Sequence, residues 1–268
     1  MNTIERTEVN GEPATLGDLR WLAATNHGHF TAMRVLDGKV RGLQFHLDRL
    51  KRSTLALFGS ELDIAFVRKC LRHAIAGDAG PLSVRVNVFS RAYDRDRPAA
   101  PVAADVLVMV NPAGRTSDTP LRVKSFRYER DSPHVKHVGT FPLFQHRRLA
   151  QQAGYDDALF VDRNDCISEG SIWNVGFFDG KGVVWPDAPQ LEGVSKQLLQ
   201  AGLVKRCVSS IARSIALSDV GHYRAAFFTN SSQAVRPISR IDDTEFVTDA
   251  EFTAMLAACY DSNPDERI

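Results

Sequence analysis

Cysteine is scarce in this sequence, and scattered. Cys70, Cys166, Cys207 and Cys259 stand far apart, with no pair at metal-ligand or redox spacing. That excludes a disulfide scaffold and a cysteine-held metal, and suits small buried side chains in a reducing compartment. His27 and His29 have no cysteine or carboxylate nearby at ligand spacing, so no metal is expected. Lysine is rare too, eight residues against 25 arginines. No apolar run reaches the length of a membrane span, and "MNTIERTEVNGE" holds no leader-like apolar stretch, so a cytoplasmic protein is expected. A charge excess of one sign is also missing. The net charge of +1 gives no reason to expect nucleic acid. The arginines of "SRAYDRDRP" (90–98) stand among acids and read as a solvated loop.

What is present is an ordinary globular composition, 44% hydrophobic and 24% charged over 268 residues. This length suits one large or two medium domains. "VNGEP" (9–13) reads as a turn after a short strand, and 30–43 as two strands joined at Asp37-Gly38. Leu43, Leu47, Leu50 and Leu57 form a helical stripe ended by Gly59, and Ile64, Val67, Leu71 and Ile75 form another. "SVRVNVF" alternates, with valines on one face and Arg85 and Asn87 on the other. "DVLVMV" (105–110) follows as a strand. "NPAGRTSDTP" holds the best linker, dividing residues 1–112 from 121–268 through a connection at 113–120. Beyond it, strands are predicted at 121–130, 157–162, 172–185 (a hairpin through 179–182) and 225–230. Helices are predicted at 141–154, over 194–216 with a break, and at 249–260. Mixed strands and helices in both halves make the class α/β or α+β.

Lys136 precedes the helix at 141–154, and Glu169-Gly170-Ser171 follows about one strand later. Lysine and Glu-Gly at this separation, with a helix and a strand between, resemble the fold-type IV pyridoxal-phosphate enzymes, the class IV aminotransferases. These include branched-chain and D-amino acid aminotransferases, (R)-selective amine transaminases and aminodeoxychorismate lyases. The resemblance runs from about residue 10 to 238 and is strongest over 135–200. It implies two domains: a smaller N-terminal α/β domain, and a larger C-terminal one with a barrel-like sheet that carries the cofactor lysine. It also implies pyridoxal 5'-phosphate, with Lys136 forming the Schiff base and moving the substrate proton, and Glu169 beside the ring nitrogen. Phosphate needs arginine, hydroxyls and a helix N-terminus. The resemblance assigns these to Arg49 in "HLDRL", to Gly193, Val194 and Ser195 opening a helix, and to Asn230 and Ser231 after Thr229 at a strand end. Lys124 is the rival lysine, but it lacks the spacing to the Glu-Gly.

The sequence departs from the family in two places. Thr140 and Phe141 stand where many members have Asn-Tyr or Asn-Leu, and Phe141 has no hydroxyl for the cofactor. "GHFTAMRV" lacks the glutamate of the family's aromatic-Glu pair, leaving His29, Phe30 and Thr31 on the expected substrate side. Arg85 matches a strand arginine near the substrate entrance of branched-chain enzymes. It reads either as a receiver for a substrate carboxylate or as a structural ion-pair partner. His134 and His137 flank the lysine, in a cofactor-side or a structural role. The implied function is amino transfer between an amino acid or amine and a keto acid or ketone, in a homodimer. The alternatives are elimination of pyruvate, as in aminodeoxychorismate lyase, and a non-catalytic relative.

Overall fold

The computed structural model describes residues 5–78 and 80–268, and among these the chain forms two compact units. The first holds the residues up to Arg115 together with Val135–Gly139 and Asp265–Ile268; the second holds Thr116–His134 and Thr140–Pro264.

The first unit begins with a hairpin of β1 (Arg6–Val9) and β2 (Glu12–Pro13). Asn10 and Gly11 both take positive φ at its turn, as two-residue hairpin loops require. Helix α1 (Leu16–Thr25) follows, closed by a Thr15–Asp18 capping box. Strands β3 (His29–Val35) and β4 (Lys39–Arg41) turn at Asp37-Gly38, as expected, again at positive φ. Helix α2 (Leu43–Phe58) stops at Gly59 in the left-handed region. Helix α3 (Ile64–Ala74) and strands β5 (Leu82–Phe89) and β6 (Asp105–Pro112) complete the set. The sheet is antiparallel in the order β2-β1-β6-β5-β3. Its valine face, with Val84, Val86 and Val88, packs with Leu47, Leu50, Val67 and Leu71 in one core. Each such buried side chain stabilises the unit by about 1.5–3 kcal/mol. The C-terminal strand Asp265–Arg267 pairs with β4, and Ile268 joins this core.

The second unit contains β7 (Leu121–Arg127), α4 (Phe141–Gln152), β8 (Asp157–Val161), β9 (Ile167–Gly170), β10 (Asn174–Phe178), β11 (Gly182–Pro186), α5 (Val194–Lys205), β12 (Ser209–Arg213), β13 (Ala225–Thr229), β14 (Arg236–Ile241), β15 (Thr244–Glu245) and α6 (Ala250–Asp261). The sheet runs β12-β11-β10-β13-β14-β7-β8-β9, with β15 on β14. It is mixed, being parallel at β11/β12, β14/β7 and β7/β8. The second part of the helix predicted over 194–216 is a strand instead. Cys207 takes positive φ and turns the chain after α5, and Ser209–Arg213 then finds ladder partners along β11. Edge pairing outweighs the local helical pattern there.

The lysine segment falls with the first unit, although it lies beyond the linker in sequence. Phe30 N donates to Lys136 O at 2.9 Å and Val138 N to Gly28 O at 3.0 Å. A bridge between His29 and His137 completes a short antiparallel addition to the open edge of β3.

Candidate functional site

In the first unit, pairing with β3 fixes the backbone of Lys136. Its Nζ lies 4.9 Å from the centroid of the Phe30 ring, and the Arg85 guanidinium carbon lies 3.6 Å from the same centroid. β3 and β5 place Phe30 opposite Asn87 and Ala32 opposite Arg85, so these side chains share the sheet face away from the valine core. Arg85 Nε donates to Asn87 Oδ1 at 2.7 Å, and no acidic side chain pairs with Arg85 among the described residues.

Alternation along β3 sends His29 and Thr31 the other way, toward α2. His29 Nε2 lies 2.9 Å from Thr54 Oγ1, whose own hydroxyl donates to Leu50 O. The three-residue spacing of His46 and Arg49 puts both on one face of α2. There Arg49 Nη2 donates to Thr31 Oγ1, and His46 Nδ1 lies 2.6 Å from that oxygen. All of these residues are buried. Burial, then Arg52, draws Arg49 down to about 10, which leaves it a cation at neutral pH. Arg49 Nε is buried with no protein partner.

This buried pair of imidazoles makes the fold acid-sensitive. Burial first, then Arg49 and His27, push His29 from 6.5 down to about 3. Burial, then Arg49 and Lys136, hold His46 well below its usual range. Both rings stay neutral in the folded chain at pH 5, whereas in the unfolded chain they take up protons below about 6.5. Protons therefore favour the unfolded state, and stability falls as pH drops from about 6.5 toward 3. From pH 7 to pH 5 the His29 ring removes about 2 kcal/mol, and His46 acts in the same direction. Urea unfolding at the two pH values measures the loss, and His29→Gln should abolish the His29 part of it.

In the second unit, Glu169 sits on β9 and is only 3% exposed. Arg130 Nε donates to its Oε1 at 2.8 Å, and Leu191 N donates to its Oε2 at 3.3 Å. Packing explains the glycine of Glu-Gly. A Cβ on Gly170 would fall 1.9 Å from the Trp173 ring, so only glycine lets that indole close over the strand carrying Glu169. The mostly buried Lys196 adds a second cation, and its charge interacts with Glu169 after Glu192.

Helix α5 opens at Gly193 with no side-chain cap, leaving its first-turn N–H groups for another acceptor. A Cβ on Gly193 would lie 2.1 Å from Asn174 Oδ1. Asn174 pairs with Thr229 across β10 and β13, so the start of α5 and the end of β13 meet at one end of the sheet. Ser195 Oγ and Thr229 Oγ1 are both buried there with no protein partner. Unpaired buried hydroxyls are costly and call for a ligand or water. Asn230 is used differently. Its Oδ1 accepts from Ser232 N at 2.9 Å and Gln233 N at 3.0 Å, closing its own turn. Ser231 is half-buried beside it.

The remaining candidates lie elsewhere. Lys124 is 3.9 Å from Asp242 and over the Tyr155 ring, in an ordinary ion pair. Phe141 begins α4 and is 77% exposed. His134 is exposed and His137 is half-buried.

The sequence pattern of the family described as Amino-transferase class IV matches residues 28–241. The chain belongs to that family. Among curated proteins there is no significant match. Solved class IV structures resemble it over nearly its whole length. A branched-chain aminotransferase from the archaeon Thermoproteus uzoniensis has 16% identity and a TM-score of 0.85, covering 96% of this chain and 94% of its own. A fold IV transaminase from Curtobacterium pusillum has 24% identity and a TM-score of 0.77, covering 89% and 87%. A hypothetical aminotransferase from Mycobacterium tuberculosis, in its PLP-bound form, has 17% identity and a TM-score of 0.80, covering 96% and 98%. The fold is thus that of the fold-type IV enzymes, with a smaller N-terminal antiparallel sheet and a larger C-terminal mixed sheet, as the resemblance implies.

Two features of this class IV protein escape a reading of sequence alone. Arg130 stands in "YERDSP" among other charges, and nothing local marks it as the buried partner of Glu169. Thr229 stands beside Asn230 and Ser231 in the sequence, and only the fold shows that its hydroxyl is buried without a partner among the described residues, while the Asn230 Oδ1 closes its own turn.

Proposed function

We propose that the chain is a pyridoxal-phosphate-dependent aminotransferase that moves an amino group between an amino acid or amine and a keto acid or ketone. The observation that carries this reading is a set of buried polar atoms without protein partners. Arg49 Nε, Ser195 Oγ and Thr229 Oγ1 each lie in a segment that the family resemblance assigns to the cofactor phosphate. Each unit by itself offers groups that suit a phosphate: a guanidinium in the first, and two hydroxyls with the open N–H groups of a helix start in the second. When bound, the cofactor supplies an electron sink for charge developing at the substrate carbon. Lys136 would hold it through Nζ, and the same amine would move a proton to and from the substrate carbon. Glu169 would face the ring nitrogen, and Arg130, donating to its Oε1, holds the carboxylate in place. In the second unit, Val194 and Ser195 at the start of α5, with Thr229 and Ser231 at the end of β13, would receive the phosphate. We take the working unit to be a cytoplasmic homodimer.

Arg85 is the receiver for a substrate carboxylate. Its guanidinium shares the Phe30 ring with Lys136 Nζ and has no acidic partner among the described residues, which favours this role over a structural ion pair. Arg85→Met should raise KM for amino-acid donors about 10–100-fold, the worth of a charge-assisted hydrogen bond. Amine donors without a carboxylate should be little affected. Equal losses for both classes would remove Arg85 from this role. The function itself is tested by a donor and acceptor screen read as keto-acid formation. Pyruvate release from aminodeoxychorismate without amino transfer would reassign the chain as a lyase.

A further inference from the structure

We infer that Thr31 is a positioning residue: its hydroxyl, set between Arg49 and His46, fixes the guanidinium for its anionic ligand and holds His46 in a single tautomer. The inference rests on the reading of Arg49 as a phosphate-binding group and deepens it. Guanidinium nitrogens can only donate, so Thr31 Oγ1 accepts from Arg49 Nη2. Arg49 Nη2 also lies 3.3 Å from His46 Nδ1, which makes that ring nitrogen face a donor. A proton on Nδ1 would point at the guanidinium, so Nδ1 is bare and the imidazole proton sits on Nε2. The single hydrogen of Thr31 then goes to His46 Nδ1, across 2.6 Å.

The outcome is a directed chain: Arg49 donates to Thr31, and Thr31 donates to His46. Every member is buried, so water offers no substitute. Arg49 Nη2 is spent inside the protein, while Nε has no protein partner and is left for the ligand. Thr31 lies in the "GHFTAMRV" stretch, from which the glutamate of the family pattern is missing. A hydroxyl there orients Arg49 without neutralising it, so the full charge stays available to an anion.

The test uses two readouts on the full chain. In the protein without cofactor, nitrogen-15 NMR of the histidines should show His46 as the neutral Nε2–H tautomer. An Nδ1–H tautomer or a charged ring at pH 7 would overturn the inference, even if no variant folds. In Thr31→Val, which keeps shape and removes the hydroxyl, the tautomer signal should become mixed. Pyridoxal-phosphate affinity, followed by absorbance, should fall at least about tenfold, the usual scale for an outer-shell partner. Thr31→Ser should restore both. Arg49→Met separates the two layers of argument. If it binds pyridoxal phosphate as well as the wild type, the phosphate reading of Arg49 fails. If it weakens binding while Thr31→Val does not, only the positioning role fails.

Discussion

Lys136→Ala is expected to abolish amino transfer, with a loss of about 10⁴-fold or more in kcat/KM. The size follows from two tasks performed by one Nζ. In the proposed reading the lysine would both anchor the cofactor and move the proton at the substrate carbon; proton transfer alone is worth about 10²–10⁴-fold. The side chain lies in a half-buried position at the edge of β3, and alanine keeps the backbone bonds to Phe30 and Gly28. The variant should therefore fold normally. Single-turnover kinetics with an amino donor checks the prediction, and an added small alkylamine should restore part of the rate. Lys124→Ala is the control. Its amine is engaged with Asp242 and Tyr155, so turnover should stay within about twofold.

Glu169→Gln should lower turnover about 10²–10³-fold, since an amide cannot hold the ring nitrogen protonated. It should also destabilise the fold, for a reason unrelated to catalysis. The Arg130 side chain is 3% exposed and would lose its counter-charge. Removing one member of such a pair costs about 3–5 kcal/mol, with glutamine at the lower end because its oxygen still accepts from Arg130. Replacing both members is often neutral in stability. The pair Glu169→Gln with Arg130→Met should therefore regain most of the stability in urea unfolding and none of the turnover. Recovery of turnover in the double variant would show that Glu169 matters only as a counter-ion.

Local sequence carried much of this structure because many elements obey local rules. The Leu43–Leu57 stripe with Gly59, the Asp37-Gly38 turn and the alternation of "SVRVNVF" each need only a few neighbouring residues to specify them, and all appear in the fold. What was illegible depends on distant pairing. Ser209–Arg213 is a strand only because β11 offers an edge, and α1 has no fully buried apolar residue to announce it, with Leu16 and Leu19 exposed. The site divides in the same way. Lys136, Glu169 and the start of α5 sit in recognisable spacing. Arg130 is invisible until β9 and its neighbours bring it to Glu169. Thr31 reads as a substrate-side residue in sequence, and only the pleat of β3 reveals its bond with Arg49. Strand parity decides that, and parity is fixed by which face of the sheet receives the valine core.

The central claim is that Lys136 is the residue that binds pyridoxal phosphate covalently. Its most direct test is to incubate the purified protein with the cofactor, reduce with borohydride and map the peptides by mass spectrometry. The account predicts a visible absorption band before reduction and a single pyridoxyl adduct on the peptide carrying Lys136, absent in Lys136→Ala. An adduct on Lys124 or Lys196, or a protein that stays colourless and unlabelled, would contradict it.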